Sequence, residues 1–213
     1  MKKEKPKIIV FASGSKNGGG SGFENLVIHS RENPKVNYEV IAVVSNHENG
    51  GVRERADKLG VPFEYIEGIP TAQKYQEIVW KYKADLVALS GWLKLVKGLD
   101  SKKTINIHPG NPEKFGGDGM YGDHVHRAVL EAGERETQIA MHFVTKVYDE
   151  GPVFFRYPVV VKDDDTVETL RSRVNKAEHL FQPLITSMVA NGEISWDGVR
   201  KDSLRVPEGY QWL

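Results

Sequence analysis

Thr104-Ile-Asn-Ile-His-Pro109 is a short apolar stretch that ends by presenting an amide and an imidazole two residues apart. Side chains on a strand alternate between its faces, so Asn106 and His108 point one way while Ile105 and Ile107 point the other. An amide can donate a hydrogen bond to a developing oxyanion, and an imidazole can exchange a proton near neutral pH. The stretch therefore predicts either a catalytic strand end or a strand end whose polar residues face solvent.

Nearly continuous apolar runs alternate with helical patterns along the chain. The runs 7–12 and 84–90 are typical of strands buried on both faces of a parallel sheet. We predict further strands at 38–45, 63–66, 104–108 and, half-buried, 138–145, and helices from 23 and at 52–59, 71–83, 123–130 and 165–191. Such alternation implies a doubly wound sheet. The 213 residues, 39% of them hydrophobic, predict a single α/β domain of Rossmann type, with a mostly parallel central sheet and helices on both faces.

A glycine-rich loop, Ser13-Gly-Ser-Lys-Asn-Gly-Gly-Gly-Ser-Gly22, joins the first predicted strand to the first helix. Unobstructed backbone amides and a helix N-terminus both favour an anion, so this order of elements predicts phosphate binding. The loop lacks the Gly-Lys-Ser/Thr ending of a Walker loop and is not a clean dinucleotide fingerprint. A flexible surface loop is the alternative. The candidate phosphate-binding residues are Gly18, Gly19, Gly20, Ser21 and Gly22.

Composition restricts the classes of partner. Lysine plus arginine equals aspartate plus glutamate, at 29 each, so no global field favours nucleic acid or an anionic membrane. The absence of cysteine excludes disulfides, thiolate metal sites and a cysteine nucleophile. The basic start, Met1–Lys7, precedes an apolar run that is too short for an export segment. We expect a cytoplasmic protein that binds small molecules, and the sequence does not decide between a monomer and a homodimer.

The helix predicted at 123–130 begins at Asp123, a good N-cap residue, and carries two histidines. His124 and His126, together with His108, raise the question of a metal site, because His-x-His is a known ligand spacing. Residues two apart on a helix diverge by about 200°, however, so their side chains do not converge. We therefore expect no metal.

Asn106-x-His-Pro109, followed further along the chain by His142-Phe-Val-Thr-x-x-x-Asp-x-Gly-Pro152, resembles the 10-formyltetrahydrofolate-dependent formyltransferases. The resemblance runs from about Lys7 to about Asn191 and implies a catalytic unit of Asn106, His108 and Asp149. In the implied mechanism an amine attacks the formyl carbon, and Asn106 and a protonated His108 stabilise the oxyanion. Asp149 would support that protonated state and help to relay the proton to the leaving nitrogen.

The resemblance also implies two substrate sites. The phosphate of phosphoribosylglycinamide would bind at Gly20-Ser-Gly22, and Glu178, in Ala-Glu-His, would bind the same substrate. The cosubstrate 10-formyltetrahydrofolate would contact Arg55, Leu93, Lys94, Leu95, Val96 and Asn106. His124 would lie near the active-site wall, His126 would be a solvated helix residue, and His142 would be structural.

The chain departs from the family pattern in its loops. The glycine loop is several residues longer than the family's, and the segment Gly110–Gly122 replaces two leucines and adds Gly-Gly-Asp-Gly. Glu150 replaces a glycine and adds a charge beside Asp149. Both loops border the expected substrates, so these departures bear on substrate fit more than on the chemistry.

Within the single domain we expect three parts: a nucleotide- and phosphate-binding half at 6–108, a folate-binding and catalytic half at 109–191, and a tail at 192–213 that Trp196 and Trp212 pack down. The expected function is formyl transfer to the amine of phosphoribosylglycinamide in purine synthesis. The alternatives are a 10-formyltetrahydrofolate hydrolase, another formyltransferase of the same fold, and a phosphate- or folate-binding protein without catalysis. The hydrolase is expected less than the formyltransferase, because the hydrolase family usually carries an N-terminal regulatory domain and this sequence begins at the first strand.

Overall fold

The computed structural model describes residues 4–213, so the first three residues of the basic start lie outside the described range. The strands are β1 (Lys7–Phe11), β2 (Glu39–Ser45), β3 (Phe63–Tyr65), β4 (Leu86–Leu89), β5 (Thr104–His108), β6 (Glu136–Phe143) and β7 (Val153–Val160). The helices are α1 (Ser21–Glu32), α2 (Gly51–Leu59), α3 (Ala72–Tyr82), α4 (Pro112–Phe115), α5 (Asp123–Glu131) and α6 (Val167–Ala190). Within the described range, none of the helices is both long enough and apolar enough to cross a membrane.

The seven strands form one sheet in the order β3-β2-β1-β4-β5-β6-β7. The first five strands are parallel, whereas β6 and β7 are antiparallel to their neighbours. The prediction of a single α/β domain with a mostly parallel sheet is confirmed. The order of connection reverses between β1 and β4, and ligands of such sheets bind beyond the carboxyl ends of strands at this kind of switch point.

Two apolar layers bury the central strands. On β1, Ile8 and Val10 pack into one layer with α1, α2, α5 and α6, whereas Ile9 and Phe11 pack into the other with α3. Burial on both faces explains why these strands are continuous apolar runs rather than alternating ones. The half-buried interpretation of 138–145 is wrong for the same reason, since all residues from Ile139 to Phe143 are buried.

Two further expectations are settled by local contacts. Asp123 is not the N-cap of α5, since Gly122 occupies that position and Asp123 is the first helical residue. The Asp123 carboxylate instead accepts two hydrogen bonds from Arg171 on α6. The tail does pack down on its tryptophans: the Trp196 ring lies 5.6 Å from that of Phe143, and Trp212 packs against Phe155 and Phe181.

Candidate active site

A cavity of about 300 Å³ lies at the carboxyl ends of β1, β4 and β5. Several elements contribute to the cavity, and the start of α1 lies next to the segment that follows β4, because Gly22 is in contact with Ser90. The lining includes Gly20–Gly22, Leu89–Val96, Asn106–Pro109, Gly117–Gly122, His142 and the segment Val144–Asp149 without Lys146, together with one face of α6. The catalytic candidates, three of the five phosphate-loop candidates and most of the folate candidates therefore share one site.

Asn106, His108 and Asp149 converge at the end of β5. The Asn106 Nδ2 lies 3.4 Å from Asp149 Oδ1, and His108 Nδ1 lies 3.7 Å from Asp149 Oδ2. Asp149 sits in a turn with a φ of 54°, a left-handed conformation that aspartate tolerates better than most residues. The Gly117 N–H donates to Asp149 Oδ2 at 3.0 Å, so the inserted loop also fixes the carboxylate.

His108 is buried, with 3% of its surface exposed, and its tautomer follows from its partner. Its Nε2 lies 2.8 Å from the carbonyl oxygen of Phe115, and because a carbonyl can only accept, Nε2 carries the proton. Burial lowers the pKa of His108 below its ordinary value, and the nearby Asp149 carboxylate raises it only in part. Desolvation thus outweighs the neighbouring charge, which is the reverse of the balance expected from the sequence and favours a neutral His108.

Asp149 is held as a carboxylate. Burial alone would raise its pKa, but the close contact with His142, the proximity of His108 and the Gly117 N–H together lower it below its usual value. The group is thus charged at neutral pH even though only 9% of its side chain is exposed. A charged carboxylate beside a neutral imidazole favours proton uptake by that imidazole during a reaction.

His142, interpreted from the sequence as structural, belongs to the same cluster. It pairs with Asn106 across β5 and β6, and its Nε2 lies 3.1 Å from Asn106 Nδ2 and 3.2 Å from Asp149 Oδ1. Its Nδ1 donates to the Phe143 carbonyl at 2.8 Å, which leaves Nε2 as the acceptor for the Asn106 amide in the neutral ring. His142 thereby orients Asn106.

The glycine loop divides into two parts. Gly20, Ser21 and Gly22 line the cavity at the start of α1, whereas Gly18 and Gly19 do not. The loop closes on itself through a bridge between Ser15 and Gly18, and this small hairpin packs beside α2 instead of facing the cavity. The prediction for Gly18 and Gly19 is therefore wrong, because the inserted residues form the hairpin and only the final three reach the site.

The folate candidates also divide. Leu93, Lys94, Leu95 and Val96 line the cavity, and Trp92 is buried against Tyr75 beneath them. Arg55 does not line it. Its guanidinium forms an ion pair with Glu24 at 2.9 Å, which ties α2 to α1. The sequence match at Arg55 therefore corresponds to a structural ion pair.

Four polar side chains of α6 form a stripe along the cavity: Arg171, Asn175, Glu178 and Gln182. Their spacings of four, three and four residues place them on one face of the helix. Gln182 was not foreseen, although the same spacing from Glu178 could have indicated it. Burial raises the pKa of Glu178 to about 7, and a hydrogen bond from Asn175 only partly offsets that rise.

The raised pKa of Glu178 predicts a pH-dependent stability. The folded state binds the Glu178 proton more tightly than the unfolded chain does. The resulting contribution to the free energy of unfolding is therefore complete below about pH 4.5 and is lost as pH rises through about 7. Glu178→Gln should remove that loss and stabilise the protein at pH 8 by about 1 to 3 kcal/mol relative to wild type. Urea unfolding between pH 4.5 and 8 measures the difference. Glu168→Gln, an exposed position of α6, is the control and should leave the fall in place.

The two histidines of α5, His124 and His126, lie in different environments. His124 is exposed and does not line the cavity, whereas His126 is buried with 2% exposure and does. Burial lowers the pKa of His126 to about 4. The expectation that His126 is solvated is wrong, because the rotation of α5, which the sequence pattern did not fix, buries it against the cavity. His124 lies near the wall of the cavity, as expected, because its ring packs 5.1 Å from that of Tyr121.

The inserted segment Gly116–Gly122 covers one side of the cavity. Asp118, Met120 and Tyr121 contribute side chains to the lining, and the glycines at 117, 119 and 122 have positive φ. The tight turns of the segment therefore depend on glycine. The expectation that this loop borders the site is met by its geometry.

Comparisons with known proteins show similarity in sequence and in fold to one family. The sequence model of the formyl transferase family matches residues 6–186. The chain is 35% identical to the chloroplastic phosphoribosylglycinamide formyltransferase of Arabidopsis thaliana, over 91% of this chain and 69% of that protein. It is 32% identical to the trifunctional purine biosynthetic protein adenosine-3 of Gallus gallus over 89% of this chain, but spans only 19% of that protein. The crystal structure of glycinamide ribonucleotide transformylase 1 from Symbiobacterium toebii is similar, with a TM-score of 0.83, 28% identity, and coverage of 97% of this chain and 96% of that one.

Proposed function

Because the chain belongs to the formyl transferase family, we propose that it transfers the formyl group of 10-formyltetrahydrofolate to the amine of phosphoribosylglycinamide, a step of purine synthesis. One observation carries the proposal. Asn106, His108 and Asp149 converge in a single cavity whose lining also includes the start of α1 and the largely apolar segment Leu93–Val96. An anionic acceptor and a flat aromatic donor can therefore reach the same catalytic cluster from different sides.

The acceptor site is proposed at the start of α1. The N–H groups at Ser21 and Gly22 lie in the first turn of α1, a 12-residue helix, where free amides and the helix dipole favour a phosphate. Glu178 and Gln182 face the same region from α6. The donor site is proposed along Leu93–Val96, where apolar side chains and free backbone groups suit a pterin ring.

The proposed chemistry uses the neutral tautomer of His108. As the acceptor amine attacks the formyl carbon, a C–N bond forms and negative charge develops on the formyl oxygen. Asn106 donates a hydrogen bond to that oxygen with the Nδ2 hydrogen that otherwise makes the 3.4 Å contact with Asp149, while its other hydrogen stays on His142. The proton released by the amine passes to His108 Nδ1, and Asp149 stabilises the resulting imidazolium. That proton then moves to the leaving nitrogen of the folate as its C–N bond breaks. Protons and bonds balance without a metal or a redox partner.

A two-arm assay tests the proposal. Consumption of 10-formyltetrahydrofolate is followed spectroscopically with and without phosphoribosylglycinamide. We expect consumption only with the acceptor, and formylated acceptor in equal amount. Formate release without the acceptor would instead identify a hydrolase, and binding of folate without turnover in either arm would identify a non-catalytic binding protein.

A glycine substitution tests the acceptor site. A Cβ on Gly22 would meet the Ser90 hydroxyl, which can rotate away, and would project beside the proposed phosphate position. Gly22→Ala should therefore raise the KM for phosphoribosylglycinamide about 10-fold, while the KM for folate changes less than about 2-fold. Gly18→Ala is the matched control, since a Cβ at that position of the same loop meets open space. Equal losses for both substrates in a folded Gly22 variant would contradict the assignment.

A further inference from the structure

Gln182 is a buried polar side chain with one unpaired end. Only 2% of the residue is exposed, and its Oε1 accepts a hydrogen bond from the Ser90 hydroxyl at 3.3 Å. Its Nε2 makes no hydrogen bond to any residue between 4 and 213, but it keeps some accessible surface, unlike the fully enclosed unpaired atoms of that range. Because Gln182 lines the cavity, this open N–H end faces the cavity. Buried polar groups are nearly always paired, so Nε2 points to a partner supplied by a ligand.

The start of α1 lies directly against the pair formed by Ser90 and Gln182. A Cβ added to Gly22 would collide with Ser90 Oγ and would lie 3.5 Å from Gln182 Oε1. The Cα–Cβ bonds of a helix tilt toward its N-terminus, so the two side chains flank the first turn of α1 on its N-terminal side. A ligand of the helix start would bind on that same side.

The first turn of α1 offers hydrogen-bond donors without acceptors. The first hydrogen bond of the helix runs from the Glu24 N–H to the Gly20 carbonyl, which leaves the N–H groups of 21–23 without a backbone partner among the described residues. Gly20 occupies the N-cap position and has no side chain to cap them. Gln182 Nε2 adds a further donor beside them. A set of donors at the positive end of a helix dipole complements a ligand that only accepts, such as a phosphate.

Ser90 fixes which end of the Gln182 carboxamide meets the ligand. A rotation of the carboxamide by 180° would exchange its donor and its acceptor. That rotation would cost the hydrogen bond that Oε1 accepts from Ser90 and would turn an oxygen toward the anion. Arg171, the cation of the α6 stripe, lies about 16 Å along the helix from Gln182 and is paired with Asp123, so it does not replace this donor.

We infer that Gln182 is a substrate-binding residue whose Nε2 donates a hydrogen bond to the phosphate of the acceptor at the start of α1. Ser90 acts through Gln182 as a positioning residue. The inference rests on the proposed function, which supplies the phosphorylated acceptor. It deepens that function by adding a specific side chain to the backbone amides of α1, and this side chain distinguishes a phosphorylated acceptor from an unphosphorylated one.

Calorimetric titration in a buffer free of phosphate and sulfate separates a phosphate contact from a structural role. The ligands are phosphoribosylglycinamide, its dephosphorylated counterpart ribosylglycinamide, and 10-formyltetrahydrofolate. Gln182→Met keeps an unbranched side chain but lacks the N–H. It should therefore bind phosphoribosylglycinamide about 10- to 100-fold more weakly than wild type, the scale of one hydrogen bond to a charged group. Its affinities for the other two ligands should stay within about 3-fold of wild type, because neither places a phosphate at this position.

Three further variants isolate the contact. Gln182→Glu keeps an oxygen for Ser90 but replaces the donor, so its loss should be at least as large as that of Gln182→Met. Ser90→Ala releases the carboxamide and should weaken phosphoribosylglycinamide binding about 3- to 10-fold. Thr186→Val is the control: Thr186 is buried one turn further along α6 and does not line the cavity, so this variant should bind all three ligands as wild type does.

The pattern of losses decides the inference. Unchanged binding of phosphoribosylglycinamide in a folded Gln182→Met would overturn it, and so would equal losses for the phosphorylated acceptor and for the folate. Where neither Gln182 variant folds, Ser90→Ala decides, and wild-type affinity in that variant would overturn the inference. All of these outcomes leave the proposed function intact, whereas a wild type that binds neither phosphoribosylglycinamide nor the folate would overturn the proposed function as well.

Discussion

His108→Ala should lower the rate of formyl transfer by about 10²- to 10⁴-fold while changing the KM of either substrate only a few-fold. His108 is the proposed proton acceptor, and its ring lies next to a carboxylate held in its charged form. Without it the ammonium formed on attack has no positioned base, and the tetrahedral species reverts. Single-turnover rates with saturating substrates isolate this step from product release.

The controls for this variant separate chemistry from folding. His108 is buried, so truncation to alanine leaves a void and lowers stability by about 2 kcal/mol or more. His108→Gln fills more of the space and serves where the alanine variant unfolds. His124→Ala, on the exposed face of α5, should retain the wild-type rate. A folded His108 variant within about 10-fold of the wild-type rate would show that His108 is not the principal proton acceptor.

The fold was largely predictable because strands that are buried on both faces of the sheet leave a simple apolar pattern in the sequence. The runs that became β1 and β4 are apolar except for Lys7 at the start of β1, and a strand in the middle of such a sheet has no polar face. The antiparallel edge of the sheet was less predictable from the sequence. On β6 the covering of both faces by other elements removes the alternation that the sequence suggested at 138–145. The burial of β6 depends on the elements that pack over both of its faces, and no local sequence pattern specifies that packing.

The site was predictable where a motif fixes geometry. Asn106 and His108 share a strand face, and the turn at Asp149 brings its carboxylate to them from a distant part of the chain. The predictions failed where the position of a side chain depends on the rotation of its helix or on an ion-pair partner. Arg55 is directed away from the cavity by Glu24, and the turn of α5 selects His126 over His124. Protonation was misjudged because the charge of Asp149 is visible in the sequence, whereas the desolvation of His108 is not.

Asp149→Asn should reduce formyl transfer by about 10²-fold and lower the pKa of His108 further. The Asp149 carboxylate is the main influence that raises the pKa of His108 against burial, so its neutral isostere removes that influence without a change in side-chain volume. The imidazolium formed during the reaction then lacks its counter-charge. A histidine NMR titration of wild type and variant measures the pKa, and single-turnover kinetics measure the rate.

The coupling between the two residues supplies the decisive comparison. If His108 and Asp149 act as one unit, the double variant His108→Ala with Asp149→Asn should be much less impaired than the product of the two single losses, because a carboxylate without its imidazole has no proton to stabilise. Asp118→Asn is the matched control: it removes another carboxylate of the cavity that does not act on His108, and should leave the His108 titration unchanged. An unaltered His108 pKa in Asp149→Asn, or losses that multiply strictly, would refute the coupling even in a working formyl transferase. In that case Asp149 would act through Asn106 and Gly117, from whose N–H groups it also accepts hydrogen bonds, rather than through the imidazole.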